Sequence, residues 1–326
     1  MKIPTLHKHP FVTQAASTIS EQSMLSSGDR ILIGVSGGPD SVALTLSLIA
    51  LSDKLNITLG IAHVNHQLRG NDAEKDETFV RDLAQVHDIA CHAVKIDVKA
   101  LAEKRKQSVE EAGRDARYQF FQDLCNSHHY TRVATGHTKD DNAELILMNL
   151  LRGSGIQGLT GIPPKRENLY IRPLIRTSKK KILHFLKKVE QEYRIDDSNT
   201  DLRFLRNRVR HHLIPILEKE YNPSIVDSLD RFGRIAPLDN DYLVQQADSA
   251  LKSCLKNADG TVITLFTQPL LDLHPALQTR VIRRAICRVK ADLKRIQNIH
   301  LLGILELCRK KGSKKSLDLP GRIRIY

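Results

Sequence analysis

The octapeptide Gly34-Val35-Ser36-Gly37-Gly38-Pro39-Asp40-Ser41 joins two apolar runs of different character. Ile31-Leu32-Ile33 before it is short and reads as a buried strand. Val42 to Leu51 after it is long enough to read as a buried helix. A strand that feeds a helix through a glycine turn gathers free backbone N–H groups at the helix start, which makes an anion site. Gly37 and Gly38 admit close approach of phosphate oxygens and tolerate positive φ. Pro39 costs little in the first helical turn, where its missing N–H has no partner anyway. Two glycines alone make only a tight connection; the string Ser-Gly-Gly-Pro-Asp-Ser is what points to phosphate. No Gly-Lys-Ser or Gly-Lys-Thr follows, which excludes a Walker A loop. The hydroxyls of Ser36 and Ser41 remain to bind a pyrophosphate. Asp40 would oppose phosphate charge unless a cation lies between them, so it implies Mg²⁺.

Strand and helix patterns alternate around this loop. Strands are expected over 30–35, 57–64, 92–96 and 132–135, and helices over 41–51, 72–87, 109–128 and 140–151. That spacing predicts an α/β fold, a doubly wound parallel sheet with helices on both faces. Ligands in such sheets sit beyond the carboxyl ends of the strands. A glycine-rich loop at 152–161, a short strand at 169–171 and a basic helix at 178–190 come next. The polar stretch 218–223 suggests a domain boundary, giving a catalytic domain over 1–218 and a smaller, mainly helical domain over 219–326. Helices are expected there over 239–256, 275–290 and 296–311, with a strand pair inside 316–326.

Charge separates the two parts. Residues 280–326 hold 14 Lys or Arg against Asp292, Glu306 and Asp318, a net +11 of the chain's +13. Such a block suits a polyanion partner, or else a solvated helix face. With aromatics at 5% and no Trp, contacts to backbone phosphate should dominate over stacking. The five cysteines are scattered without a Cys-Xaa-Xaa-Cys pair, as expected in a reducing cytoplasm. No apolar run is long enough to span a bilayer, so no membrane partner is expected.

Three further strings carry candidate chemistry, the first and third of them just after expected strands. His63-Val64-Asn65-His66 offers two histidines three apart, too few for a zinc site and compatible with local hydrogen bonding. Arg114 and Arg117 share one helix face, where they could clamp a phosphate or pair with Glu111 and Asp115. His137 precedes Asp140, Asp141 and Glu144, acids that in isolation would only offset a helix dipole. Asp140 is placed to cap that helix.

Taken in order, these blocks resemble the PP-loop ATP pyrophosphatase family, and His-Val-Asn-His-Xaa-Leu-Arg resembles its tRNA(Ile)-lysidine synthetase branch. Leu151 to Leu159, and Asp196 to Asn199 with Arg206-Asn207-Arg208-Val209-Arg210, extend the likeness. Thr138 and Leu145 depart from it, standing where a second histidine and a threonine are common. The resemblance implies a Rossmann-like PP-loop domain that uses ATP and Mg²⁺ to adenylate a tRNA(Ile) with a CAU anticodon, then joins L-lysine to it. It implies ATP binding by Ser36, Gly37, Gly38, Pro39, Asp40, Ser41 and His63, and Mg²⁺ binding by Asp40 and Asp141. It marks Asp40, Arg117, Asp141 and His137 as catalytic, with His137, Asp141 and Glu144 all open as the base. RNA contact is expected from Arg206, Arg208 and Arg210, and from Lys310, Lys311, Lys314 and Lys315. A homodimer is among the states the sequence allows. Two rivals stand beside this reading. A tRNA thiolase would need paired cysteines, and a non-catalytic RNA-binding protein would not need Asp40, Arg117 and Asp141.

Overall fold

Ile31, Leu32 and Ile33 are fully buried because their strand lies at the centre of a sheet covered on both faces. The computed structural model describes residues 3–195, 201–310 and 316–326. They form two compact units, 1–234 and 235–326.

In the first unit, helix α1 (Pro10–Glu21) precedes strand β1 (Arg30–Gly34) and helix α2 (Pro39–Leu55). Strand β2 (Thr58–Asn65), helix α3 (Asn71–Val86), strand β3 (Ala90–Lys95) and helices α4 (Val98–Arg105) and α5 (Val109–His128) follow. Next come strand β4 (Arg132–Thr135), helices α6 (Lys139–Leu151) and α7 (Ile156–Leu159), strands β5 (Lys165–Arg166) and β6 (Tyr170–Ile171), and helix α8 (Lys179–Lys188). The sheet order is β3-β2-β1-β4-β6-β5, parallel except for the β5–β6 pair. This is the expected doubly wound α/β sheet, extended at one edge by an antiparallel strand. Because β1 pairs with β2 on one side and β4 on the other, the order reverses around β1. The loops after β1 and β4 therefore flank a single crevice, where such folds bind ligands.

Helix α2 lies deep, with Val42, Leu44 and Leu48 fully buried, since α1 and α8 pack over it. It starts from Gly38 without a side-chain cap and with Pro39 in its first turn. No side chain among the described residues caps its first-turn N–H groups.

Beyond α8, helical turns run over 205–221, where the sequence suggested a boundary at 218/219. The units instead divide after Arg234, within the helix Ile225–Cys254. Its first turns belong to the first unit: Arg176 bonds Asp230 at 2.7 Å, and a Cβ on Gly233 would stand 2.8 Å from Asn142 Nδ2. The sequence placed the helix start after Pro237. The helix runs through that proline because packing on either side outweighs one lost backbone bond.

The second unit packs Ala247, Leu251 and Cys254 against helices Pro275–Lys290 and Asn298–Arg309 through Val281, Ile282, Ile286, Leu301 and Leu305. Hairpins Leu255–Ala258 with Ile263–Leu265, and Leu317–Leu319 with Ile323–Ile325, complete it. Among the described residues no helix is long and apolar enough to cross a membrane.

Candidate active site

The loop after β1 is pre-shaped by its own serines. Ser41 Oγ donates to Gly38 O at 2.9 Å and accepts from Ser36 N–H at 3.3 Å. Gly37 holds φ +87°, which only glycine adopts cheaply. Its carbonyl accepts from Arg194 N–H at 2.9 Å, and Arg194 is anchored in turn on Asp76 at 2.9 Å. Gly136, after β4, faces the start of α2, where a Cβ would meet the Asp40 carbonyl carbon at 3.0 Å. The two loops close on each other because that side chain is missing.

Five of the sequence-derived residues come together here. Asp40 opens α2, Asp141 sits in the first turn of α6, and Lys179 Nζ lies 3.7 Å from Asp40 and 3.9 Å from Asp141. His137 precedes α6 and bonds Thr135 Oγ1 through Nδ1 at 3.0 Å. His63 is buried, with Nδ1 2.9 Å from Val35 O and Nε2 unpaired. Arg117 acts on both His66 and His137 from α5, so it reaches the same crevice.

Thr138, a departure from the family pattern, gives Asp141 its orientation. Its N–H and hydroxyl donate to Asp141 Oδ2 at 2.9 and 2.7 Å, and it caps α6 in a reciprocal box. Asp140 does not cap; its Oδ2 accepts from Lys179 N–H at 2.8 Å and fixes the start of α8.

The arginines of the 206–210 stretch divide. Arg206 Nη2 lies 2.7 Å from Asp141 and its Nε 2.9 Å from Glu144, while Arg210 Nε lies 2.6 Å from Glu144. Both thus pair with two buried carboxylates, with the Arg206 side chain 43% exposed; Arg208 is exposed. Lys310 is exposed and bonds Glu306 at 2.5 Å. Lys311, Lys314 and Lys315 lie outside the described residues, as do Asp196 to Thr200.

Local charges drive the two aspartates apart. Burial pushes Asp40 up to about 6, against the pull of Lys179 and with the help of Asp141. Burial acts the same way on Asp141, but Lys179, Arg206 and the Thr138 hydroxyl outweigh it and hold the carboxyl down to about 2. A paired set of carboxylates, one firmly ionised, suits Mg²⁺, which keeps several waters and takes one or two carboxylates plus phosphate oxygens. Among the described residues no group of three or more His, Cys, Asp or Glu gathers as a metal site.

Burial, with Arg117 nearby, lowers His66 to about 4, and burial lowers His137 to about 4 against the pull of Asp141. Both fall below the ordinary 6.5, so the folded chain binds fewer protons than the unfolded one. Their contribution to stability is full above pH 6.5 and is lost as pH falls toward 4; Asp40 opposes them between about 6 and 4. Thermal midpoints should therefore drop on acidification through this window, and His66→Gln should flatten part of the drop. An unchanged slope in that variant would remove His66 from the account.

Lys179, Glu144 and Arg172 complete the site, and only Glu144 was singled out in the sequence. Lys179 stood inside a basic helix with nothing local to distinguish it. Its importance depends on α8 being folded back beside α2.

Comparison with known proteins shows the family. The family model for the PP-loop domain matches residues 8–217, and that for the TilS substrate binding domain matches 265–326. A tRNA(Ile)-lysidine synthase of Clostridium tetani is 38% identical over 94% of this chain and 65% of its own length. That of Clostridium acetobutylicum is 35% identical over 97% of this chain and 68% of its own. This chain therefore spans about two thirds of the length of these relatives. Among solved structures, a U34-tRNA thiolase of Methanococcus maripaludis has a similar fold, with a TM-score of 0.56 at 19% identity, covering 70% of this chain and 81% of its own. The matches run through the crevice loops, α6 and the basic C-terminal unit alike, and the chain belongs to the tRNA(Ile)-lysidine synthase family of PP-loop proteins.

Proposed function

We propose that this chain uses ATP to join L-lysine to C2 of the wobble cytidine in a CAU-anticodon tRNA(Ile). In this reading ATP first adenylates the C2 carbonyl oxygen and pyrophosphate leaves. The lysine side-chain amine then attacks C2 and AMP leaves, producing lysidine and moving codon pairing from AUG to AUA. The observation that carries the reading is the meeting of Asp40 and Asp141, from the loops after β1 and β4, on one ammonium beside an uncapped helix start.

Pyrophosphate would leave against the N–H groups of Gly37 and Gly38 and the hydroxyls of Ser36 and Ser41. Asp40 and Asp141 would hold Mg²⁺, which when bound offsets phosphate charge. Arg117 and Lys179 are cations placed to stabilise charge that builds in the transition state. The incoming amine has an ordinary pKa of about 10.4, so a proton must be removed. Of the three candidate bases, Asp141 and Glu144 already accept from guanidinium groups, while no guanidinium bond to His137 is seen among the described residues. We assign it that role.

Incubation with ATP, labelled lysine and a panel of tRNAs tests the proposal. Label should enter only the CAU-anticodon isoleucine tRNA, with AMP and pyrophosphate as products. Formation of ADP, or sulfur transfer in place of lysine, would reject it. The basic C-terminal unit is proposed to hold tRNA backbone away from the reacting base. Replacing Lys310, Lys311, Lys314 and Lys315 with Glu should weaken tRNA binding and flatten its salt dependence, at roughly 0.7–0.9 of log–log slope per lost contact. Filter binding at several salt concentrations reads this out. Wild-type affinity and slope would make the cluster a solvated face.

A further inference from the structure

Four guanidinium groups gather around two of the chain's seven tyrosines on the first unit, outside the phosphate loop. Tyr118 of α5 and Tyr170 of β6 meet edge to face at 4.9 Å. Arg166 stands over both rings, 4.6 Å from the Tyr118 centroid and 4.5 Å from that of Tyr170. Arg114 and Arg117 approach the Tyr118 ring at 5.6 and 5.8 Å. The fourth, Arg172, is buried, interacts with the Tyr118 side chain and gives one hydrogen bond to Pro163 O.

Like charges this close repel. Glu167 lies 3.4 Å from Arg166, while Asp115, next in sequence to Arg114, accepts from Gln107. Arg172 Nε is buried without a hydrogen-bond acceptor among the described residues, while Arg166 Nε has the Glu167 carboxylate at 3.4 Å. A cluster of cations with spare donors is completed by anionic oxygens. Aromatic faces carrying a stacked guanidinium are, in addition, platforms for nucleobases. Anionic oxygens alternating with flat rings describe single-stranded nucleic acid. Helix α5, which carries Arg114, Arg117 and Tyr118, packs beside the end of β1, where a Cβ on Gly34 would stand 2.8 Å from Phe121, so the cluster borders the catalytic crevice.

We propose that Arg114, Arg166 and Tyr118 form a cradle for the single-stranded RNA that flanks the reacting nucleotide. Arg114 and Arg166 hold its phosphates, and a neighbouring base stacks on the Tyr118–Arg166 face. This rests on the tRNA reading above and assigns the loop contact to the catalytic unit rather than to the basic C-terminal unit.

The test uses the full chain and a fluorescein-labelled RNA hairpin with a CAU anticodon loop, beside a blunt duplex of the same stem. Anisotropy is read over a range of KCl concentrations for wild type, Arg114→Gln, Arg166→Gln and Arg166→Lys, each checked for an unchanged thermal midpoint. The Gln variants should bind the hairpin about tenfold more weakly, with the log–log salt slope reduced by roughly 0.7 per lost contact. Arg166→Lys should keep the slope and lose affinity, because an ammonium keeps the charge but not the stacking plane. Duplex binding and ATP binding should not change. Wild-type hairpin affinity and slope in both Gln variants would overturn the cradle while leaving the lysine-ligation reading intact. A wild-type chain that neither binds the hairpin nor transfers lysine would sink both. Displacement of the hairpin by poly-glutamate as readily as by unlabelled RNA would reject RNA and assign the cluster to an acidic protein surface.

Discussion

Asp40→Asn and Asp141→Asn should each lower turnover by about 10²–10³-fold and move stability in opposite directions. Both carboxylates face Lys179, so both are in place to oppose phosphate charge through a cation. Their surroundings differ. Asp40 is raised from 3.8 to about 6, chiefly by burial. The folded chain therefore holds that proton more tightly, and stability falls as pH rises from about 4 to 6 and stays lower above it. Asparagine removes the penalty, so this variant should gain on the order of 1–3 kcal/mol at neutral pH. Asp141 is lowered to about 2 by Lys179, Arg206 and Thr138, which outweigh its burial. Its contribution is present above 3.8 and fades as pH falls toward 2, so Asp141→Asn forfeits it at neutral pH. Pyrophosphate release with tRNA present, paired with unfolding at neutral pH, reads both effects. A shared fall in stability, or an active Asp40→Asn, would refute the electrostatic account. Affinity for tRNA should be nearly unchanged in both.

Removing Glu144 should have the largest effect on stability. Glu144 is 1% exposed and accepts from Arg206 Nε at 2.9 Å and from Arg210 Nε and Nη2 at 2.6 and 2.9 Å. In Glu144→Ala the two guanidiniums keep only Asp141, and breaking a buried ion pair from one side costs about 3–5 kcal/mol. The helical turns over 205–210 would lose their hold on α6, so activity should fall as well. Glu144→Gln retains shape and one acceptor and should lose less, which separates charge from packing. Urea unfolding measures the difference. If Glu144→Ala lies within about 0.5 kcal/mol of wild type, the network contributes nothing to stability.

Local pattern was enough for β4 and α5, whose bounds match the expected ones, because a buried run or an amphipathic face carries its own period. Helix α1, the hairpin Leu255–Ala258 with Ile263–Leu265, and strand β5 went unread. The two strands of β5 and β6 are two residues each and exist only because they pair with a neighbour already in place. The helix through Pro237 shows the same limit from the other direction. Proline predicts a break, and contacts on either side of it overrule that preference.

The phosphate loop, the acids of α6 and the basic C-terminal block were legible because each is contiguous, and contiguous chemistry needs no folding to be seen. Family membership followed from their order. Tertiary structure alone decided what those residues touch. Arg206 and Arg210 stand in a basic string, and the fold sets them against Asp141 and Glu144 because a buried carboxylate requires a partner. Lys179 joins Asp40 to Asp141 only after α8 folds beside α2. Four arginines converge on Tyr118 from two segments far apart in the chain. A linear pattern records which charges a chain carries; their pairing depends on distances of a few ångströms, and only the folded backbone sets those distances.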